Sequence, residues 1–143
     1  FETNESIMRC NLKTIFDECT EALHPNLTIW DTKKTDEYFS YLNSKIKFQS
    51  WGQISFNHHN VILKTNNFSE ISTYFYNSGL CYKKCYLITL TEYPIIETDC
   101  QNLLINKDDV LALSHGIFVM IPEHNLILEI WESEKFLLVN LND

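Results

Sequence analysis

Glycine and proline are both scarce in this chain, with three residues of each. The three glycines are too far apart to form a GxGxxG or a GxxxxGK(S/T) motif. The glycine-rich phosphate-binding sites are therefore excluded. Long apolar runs are missing as well. No run approaches the ~20 residues that a membrane-spanning helix requires, so we predict no membrane segment.

Arginine is almost absent. Ten of the 11 basic residues are lysine, and Arg9 is the single arginine. The planar guanidinium group donates two parallel hydrogen bonds and is therefore preferred for recognising phosphates and bases. We accordingly expect no nucleic acid among the partners of this protein.

The five cysteines do not form a paired framework. They are Cys10, Cys19, Cys81, Cys85 and Cys100. An odd count in a chain that is well supplied with core residues predicts free thiols and a cytoplasmic location. Cys81 and Cys85 are separated by three residues and have no histidine near them in sequence. This spacing does not match a zinc signature, so we predict neither a metal site nor a cofactor.

The remaining composition is that of an ordinary globular protein. The chain has 143 residues, of which 45% are apolar and 21% are charged. A chain of this length buries roughly 68–70% of its unfolded surface, enough for a core without disulfide or metal staples. We therefore predict a single α+β domain over residues 1–143.

Two amphipathic helices are predicted in the first third of the chain. Apolar residues recur at three- and four-residue steps over residues 5–23, and Asn4 is placed to cap that helix. A second stripe covers residues 33–46, with Asp31 or Thr35 as its cap. The helices therefore precede most of the strand-like segments.

Further helical segments are predicted from capping residues. Polar side chains before apolar stretches cap a helix, and a glycine after its last turn ends it. In chain order, the predicted caps and stops are Asn67 and Gly79 for a third helix, Thr98 for a short turn, and Asn106 and Gly116 for a helix over residues 107–115.

Strand-like segments lie on both sides of the third helix. Gln53–Phe56 and Val61–Lys64 flank a polar segment at residues 57–60, which is typical of a hairpin. Tyr82–Thr91 has alternating and β-branched character. A proline follows it, and Ile95–Glu97 is then predicted as a short edge strand.

The C-terminal part carries the clearest pattern. Ile117–Ile121, Leu126–Trp131 and Phe136–Leu141 are three strand-length apolar runs with short polar connections, which predicts an antiparallel meander. The first and third runs are apolar on both faces, so both faces must be covered. Two covers for these faces are compatible with the pattern: helices of the same chain, or a second copy of the chain in a homodimer. The predicted fold is α+β, an antiparallel sheet of five to six strands packed against three to four helices.

The acidic charge is confined to the C-terminal part of the chain. Residues 1–86 carry nine acidic and nine basic side chains, whereas residues 87–143 carry ten acidic and two basic ones. This region is either a solvated surface that favours solubility or a field that attracts a basic partner. If it binds a partner, an aromatic anchor flanked by acids is the expected arrangement. The candidate partner-binding residues are Glu129, Trp131, Glu132, Glu134, Asp108, Asp109, Glu97 and Asp99.

Two groups of residues keep an enzymatic alternative open. Glu92, Glu97 and Asp99 cluster near the predicted end of a strand, as carboxylates do in metal-dependent nucleases and hydrolases. The positive surface that a nuclease needs for phosphates is missing. His58 and His59 form the other group, but as an exposed pair in a hairpin loop they need no functional explanation.

In its general character the chain resembles the immunity proteins of bacterial contact-dependent inhibition and other polymorphic toxin systems. It is small and acidic, its helices come first, and the run at residues 116–122 leads into a closing hairpin. It also has 14 asparagines and 15 isoleucines against two alanines, as A+T-rich genes encode. The resemblance implies a non-enzymatic inhibitor that binds a cognate toxin domain, often a basic nuclease. The resemblance assigns no role to an individual residue. A third hypothesis is that the protein is a structural or adaptor subunit.

Overall fold

A seven-stranded antiparallel sheet organises the molecule. The computed structural model describes residues 14–46, 60–89, 93–131 and 134–142. The strand order in the sheet is β1-β4-β3-β5-β6-β7-β2. The strands are β1 (Thr28–Ile29), β2 (Asn60–Thr65), β3 (Lys84–Thr89), β4 (Ile96–Asp99), β5 (Gly116–Ile121), β6 (Leu126–Trp131) and β7 (Lys135–Asn140). The predicted α+β fold and the C-terminal meander β5-β6-β7 are confirmed, with more strands than the five to six expected.

Five helices and two single 3-10 turns complete the described fold. The helices are α1 (Ile15–Leu23), α2 (Thr32–Lys45), α3 (Phe68–Asn77), α4 (Cys100–Ile105) and α5 (Lys107–Leu111), and the 3-10 turns are Leu80–Tyr82 and Pro122–His124. Asp31 caps α2 as predicted, because its Oδ1 accepts the Lys34 amide at 2.8 Å. Asn67 caps α3, and Gly79 follows that helix in the left-handed conformation that glycine adopts readily.

Several predicted helix ends are wrong, and each has a local reason. Thr14 is extended and caps α1 through a reciprocal bond pair with Asp17, so the helix predicted over residues 5–23 does not pass through it. Residues 1–13 lie outside the described part. Asp99, rather than Thr98, caps α4, because Asp99 Oδ1 accepts the Asn102 amide, whereas Thr98 Oγ1 donates to the carbonyl oxygen of Asn26 at 2.6 Å. Gly116 is not a left-handed stop but the first residue of β5.

The helix predicted over residues 107–115 is shorter than expected. It is α5, which ends at Leu111. The side chain of Asn106 does not cap it, because its Nδ2 donates to the carbonyl oxygen of Asn102 at 2.9 Å in the preceding helix. The α5 helix therefore follows α4 with a single residue between them.

Two strand predictions also change. Ile95–Glu97 was expected at an edge, but β4 lies between β1 and β3. β3 begins at Lys84, since Tyr82 belongs to the preceding 3-10 turn and is 81% exposed. The predicted strand at residues 53–56 and the first three residues of the predicted loop at 57–60 lie outside the described residues. The last residue of that loop, Asn60, is the first residue of β2. β2 pairs with β7.

The meander buries both of its faces within the chain. Ile117, Val119 and Ile121 pack into one core cluster with side chains from α1, α3, α4 and α5. The alternate residues Phe118 and Met120 pack into a second cluster, which contains Leu42 of α2. Helices of the same chain thus provide a cover on each face. The homodimer remains a prediction, but the apolar pattern does not require it.

None of the five helices in the described ranges has the length and apolar character needed to cross a bilayer. The longest, α2, has 14 residues and carries exposed charged side chains near both of its ends.

Candidate functional site

The structure places four of the predicted acidic residues at two opposite ends of the sheet. In β5, Gly116 pairs with Trp131 at one end, and Ile121 pairs with Leu126 at the other. β5 has six residues, so five steps of ~3.3 Å separate Gly116 from Ile121, and the two ends are about 17 Å apart. Asp108, Trp131 and Glu134 line one cleft at the Gly116 end. Glu97 and Asp99 line another cleft at the far end.

Glu97 and Asp99 are engaged in bonds that hold the fold together. Glu97 Oε1 accepts a hydrogen bond from Trp30 Nε1 at 3.2 Å, and its Oε2 lies 3.3 Å from Lys84 Nζ. Asp99 Oδ1 accepts the Asn102 amide at 2.7 Å at the start of α4. The cleft beside them has a volume of about 410 Å³. These two carboxylates therefore already have structural partners.

A second ion pair, between Lys83 and Glu123, lies at the same end of the sheet. Lys83 Nζ donates to Glu123 Oε1 at 3.0 Å. This hydrogen bond and the lysine charge lower the pKa of Glu123 below its ordinary value. Together with the Lys84–Glu97 pair, it leaves little unmatched acidic charge among these four side chains.

Glu129 is buried rather than presented to a partner. Only 4% of the residue is exposed, and it lies in β6 between Phe118 of β5 and Leu137 of β7. The sequence correctly placed it on the same strand face as Ile127 and Trp131. That face carries the second core cluster, and Glu129 is buried there.

Two candidate residues remain: Asp109, which the structure places beside α1, and Glu132, which it does not describe. Asp109 is half-buried on α5, and its charge adds to the effect of burial in raising the pKa of Cys19 to about 11. Asp109 therefore faces α1, because Cys19 belongs to that helix. Glu132 lies outside the described residues.

The cleft at the Gly116 end brings together residues from three elements and their connections. Its volume is about 290 Å³. Asp108 comes from the first turn of α5, and Glu134 from the tight β6–β7 connection, where its φ is +55°. Both side chains are exposed, and neither forms an ion pair within the described residues. The cleft residues are Asp108, Leu111, Ala112, Ser114, His115, Ile117, Ile130, Trp131 and Glu134.

Trp131 forms part of this cleft and is half-buried. Its ring makes an edge-to-face contact with Phe118 at 6.5 Å between centroids. Its Nε1 is buried and has no hydrogen-bond acceptor in the described structure. A buried donor without an acceptor is unfavourable, and this is the single buried side-chain polar atom of that kind in the described ranges.

The residues of the enzymatic alternative do not assemble into a metal site where the structure describes them. No group of three His, Cys, Asp or Glu side chains suited to a metal ion occurs in the described ranges. Glu97 and Asp99 have the partners given above, whereas Glu92, His58 and His59 lie outside these ranges. Cys19, Cys81, Cys85 and Cys100 are buried free thiols, and Cys10 is not described.

The sequence matches one protein family over almost its whole length. The model of the family described as CdiI immunity protein, EcoliA0-like, matches residues 13–139. The chain belongs to this family. A comparison with curated proteins found no match. The resemblance seen in the sequence is thus confirmed, and this immunity protein neutralises a cognate toxin of contact-dependent inhibition. Family membership supports a binding protein rather than an enzyme.

The sequence did not reveal most of the cleft of this immunity protein. Asp108, Trp131 and Glu134 were candidates because of charge and aromatic character. Ile117 and Ile130 were predicted only as residues of the C-terminal strands, and Leu111 was not singled out. No sequence signal could have identified them, since they meet the acidic residues only after α5 packs against the end of the meander.

Proposed function

We propose that this immunity protein acts in the cytoplasm and binds a basic toxin domain through an acidic surface formed by Asp108 and Glu134, with Trp131 beside them. The observation that carries the proposal is the distribution of charge. The whole net charge of −8 lies after residue 86. A concentrated field of one sign accelerates the association of an oppositely charged protein.

The acidic side chains at the two ends of the sheet differ in whether they form ion pairs. At the far end, Glu97 and Glu123 have lysine partners. At the Gly116 end, Asp108 and Glu134 are exposed and have no ion pair among the described residues. Lys107 is close to Asp108 in sequence, but its Nζ lies 4.4 Å from the ring centre of Phe68. These exposed carboxylates, which form no ion pair among the described residues, favour the Gly116 end as the docking surface.

Binding there would neutralise a toxin by covering its basic surface. A nuclease toxin needs such a surface to hold phosphates, and a protein bound over it competes with the nucleic acid. The toxin's catalytic activity is then blocked without any reaction on the immunity protein.

Charge reversal tests this proposal. In the double variant Asp108→Lys and Glu134→Lys, association with the purified cognate toxin domain should slow by about tenfold or more at low salt. Much of the deficit should vanish as salt screens the field. The matched control is Asp36→Lys with Glu37→Lys on α2, which makes the same charge change at exposed positions elsewhere. Thermal melts establish that both variants fold.

Two outcomes are decisive. A slow, salt-dependent association in the cleft variant together with near wild-type rates in the control supports the surface. Wild-type association of the cleft variant at every salt concentration overturns it and moves the docking surface elsewhere.

A further inference from the structure

The lining of the cleft at the Gly116 end includes exposed polar side chains, among them Asp108, His115 and Glu134, as well as apolar ones. Asp108 and Glu134 are exposed at its rim. Leu111 is half-buried, and Ile117 and Ile130 are almost fully buried, so together they supply an apolar floor. This arrangement is more than an acidic cluster, since a cavity with an apolar base lies among the carboxylates.

Long basic side chains have the complementary structure. Lysine and arginine bury an aliphatic stem against apolar surface while the charged end stays near polar groups. The cleft has a volume of about 290 Å³. That volume is ample for the five side-chain heavy atoms of lysine or the seven of arginine, so one such side chain fits.

We propose that this cleft receives a single lysine or arginine side chain of the toxin domain. The stem lies on Leu111, Ile117 and Ile130, and the cation lies between Asp108 and Glu134. This inference rests on the proposed function and adds the anchor to it. The charged surface sets the rate of encounter, whereas an inserted and desolvated side chain sets how long the complex lasts.

Other occupants fit the cleft less well. An acidic side chain would meet two carboxylates of like charge. A neutral aliphatic side chain would use the floor but would leave Asp108 and Glu134 partly desolvated without a counter-charge, which is unfavourable. A basic side chain satisfies both parts of the lining.

Filling the cleft without changing its charge tests the inference. Ala112 lines the cleft, is exposed and has ordinary right-handed helical angles, so a larger side chain is compatible with the backbone. In Ala112→Phe the dissociation rate of the toxin domain should rise by about tenfold or more, with little salt dependence. Association at low salt should be nearly unchanged. Ala112→Leu is the smaller substitution if the phenylalanine variant does not fold. Asn43→Phe adds an exposed ring on α2 as the control.

The toxin side chain itself is identified by a double-mutant cycle. Each lysine and arginine of the toxin domain is replaced by alanine and measured against wild type and Ala112→Phe. One replacement should weaken binding to wild type by tenfold or more and have almost no further effect on Ala112→Phe, because both changes remove the same contact.

The results separate this inference from the function it rests on. If Ala112→Phe dissociates like wild type while the Asp108 and Glu134 reversals slow association, the acidic surface stands and the single-side-chain cleft is overturned. If Ala112→Phe weakens binding but no basic toxin residue couples to it, the occupant is not basic and the inference is also overturned. If neither set of variants changes the kinetics, both proposals fall.

Discussion

Trp30 Nε1 donates a hydrogen bond to Glu97 Oε1 across 3.2 Å and joins the segment before α2 to strand β4. The two residues are 67 positions apart in the chain. Trp30 is 5% exposed, so its indole nitrogen depends on this protein acceptor far more than on water. The bond gives a structural role to a carboxylate that the sequence offered as a contact residue.

Removing that acceptor should destabilise the protein without affecting toxin recognition. Glu97→Ala leaves Trp30 Nε1 unsatisfied, and the free energy of unfolding should fall by about 1–3 kcal/mol. Urea unfolding measures the change. Glu123→Ala is the control at the same end of the sheet, where an exposed ion pair contributes little. Slower toxin association in Glu97→Ala at wild-type stability would contradict this assignment and return Glu97 to the contact surface.

Charge reversal should have different consequences at two glutamates only five residues apart. Glu129 is buried, so Glu129→Lys places an ammonium group in the interior and should lower the free energy of unfolding by about 3 kcal/mol or more. Glu134 is exposed, so Glu134→Lys should melt close to wild type and show its effect in association kinetics. Thermal melts and stopped-flow association measure the two effects. A fully stable Glu129→Lys variant with slow association would show that Glu129 belongs to the docking surface after all.

The unsatisfied indole of Trp131 predicts an unusual stability response. Trp131→Phe removes a buried donor that has no acceptor in the described structure, which offsets the lost contact area. Its free energy of unfolding should equal or exceed that of the wild type. Trp131→Ala should instead lose about 2–3 kcal/mol, because both the buried area of the ring and its edge-to-face contact with Phe118 disappear. A loss of similar size in Trp131→Phe would indicate that the nitrogen has a partner.

The buried thiols predict a loss of stability at alkaline pH. Burial, assisted by Asp109, raises the pKa of Cys19 from 9.0 to about 11. The folded state therefore holds the thiol proton more tightly than the unfolded state. This contribution is fully present below about pH 9 and is lost as pH rises towards 11, at about 1.4 kcal/mol per pKa unit. Urea unfolding from pH 8 to 11 should show the decline, and Cys19→Ala should make it shallower. An equally steep decline in Cys19→Ala would exclude Cys19 as its source.

Thiol chemistry provides an independent measurement of the same burial. Four cysteines are buried in the described structure, so a thiol reagent at pH 8 should modify them slowly in the folded protein. In denaturant without reductant, the titration should count close to five thiols, the number in the sequence. A count of one in denaturant would reveal two disulfides and contradict the predicted cytoplasmic location.

Local patterns determined the parts of this fold that depend on near neighbours. The three apolar runs after residue 116 became β5, β6 and β7, and Asp31 and Gly79 lie at helix ends as predicted. A helix cap depends on hydrogen bonds within three or four residues, and a strand pattern depends on a period of two. Both can therefore be recognised in the sequence alone. The uneven charge is a property of the composition alone, and the character of the immunity family was also recognisable.

Only the tertiary structure decided which side chains reach the surface. The period of two placed Glu129 and Trp131 on one strand face, but the pairing of β6 between β5 and β7 and the core on that face bury Glu129. The sequence could not reveal that Glu97 accepts from Trp30, since that contact spans 67 residues. The cleft between α5 and the end of the meander has the same origin. A pattern states which side chains share a face, whereas exposure depends on which distant segment covers that face, and packing of the whole chain decides that.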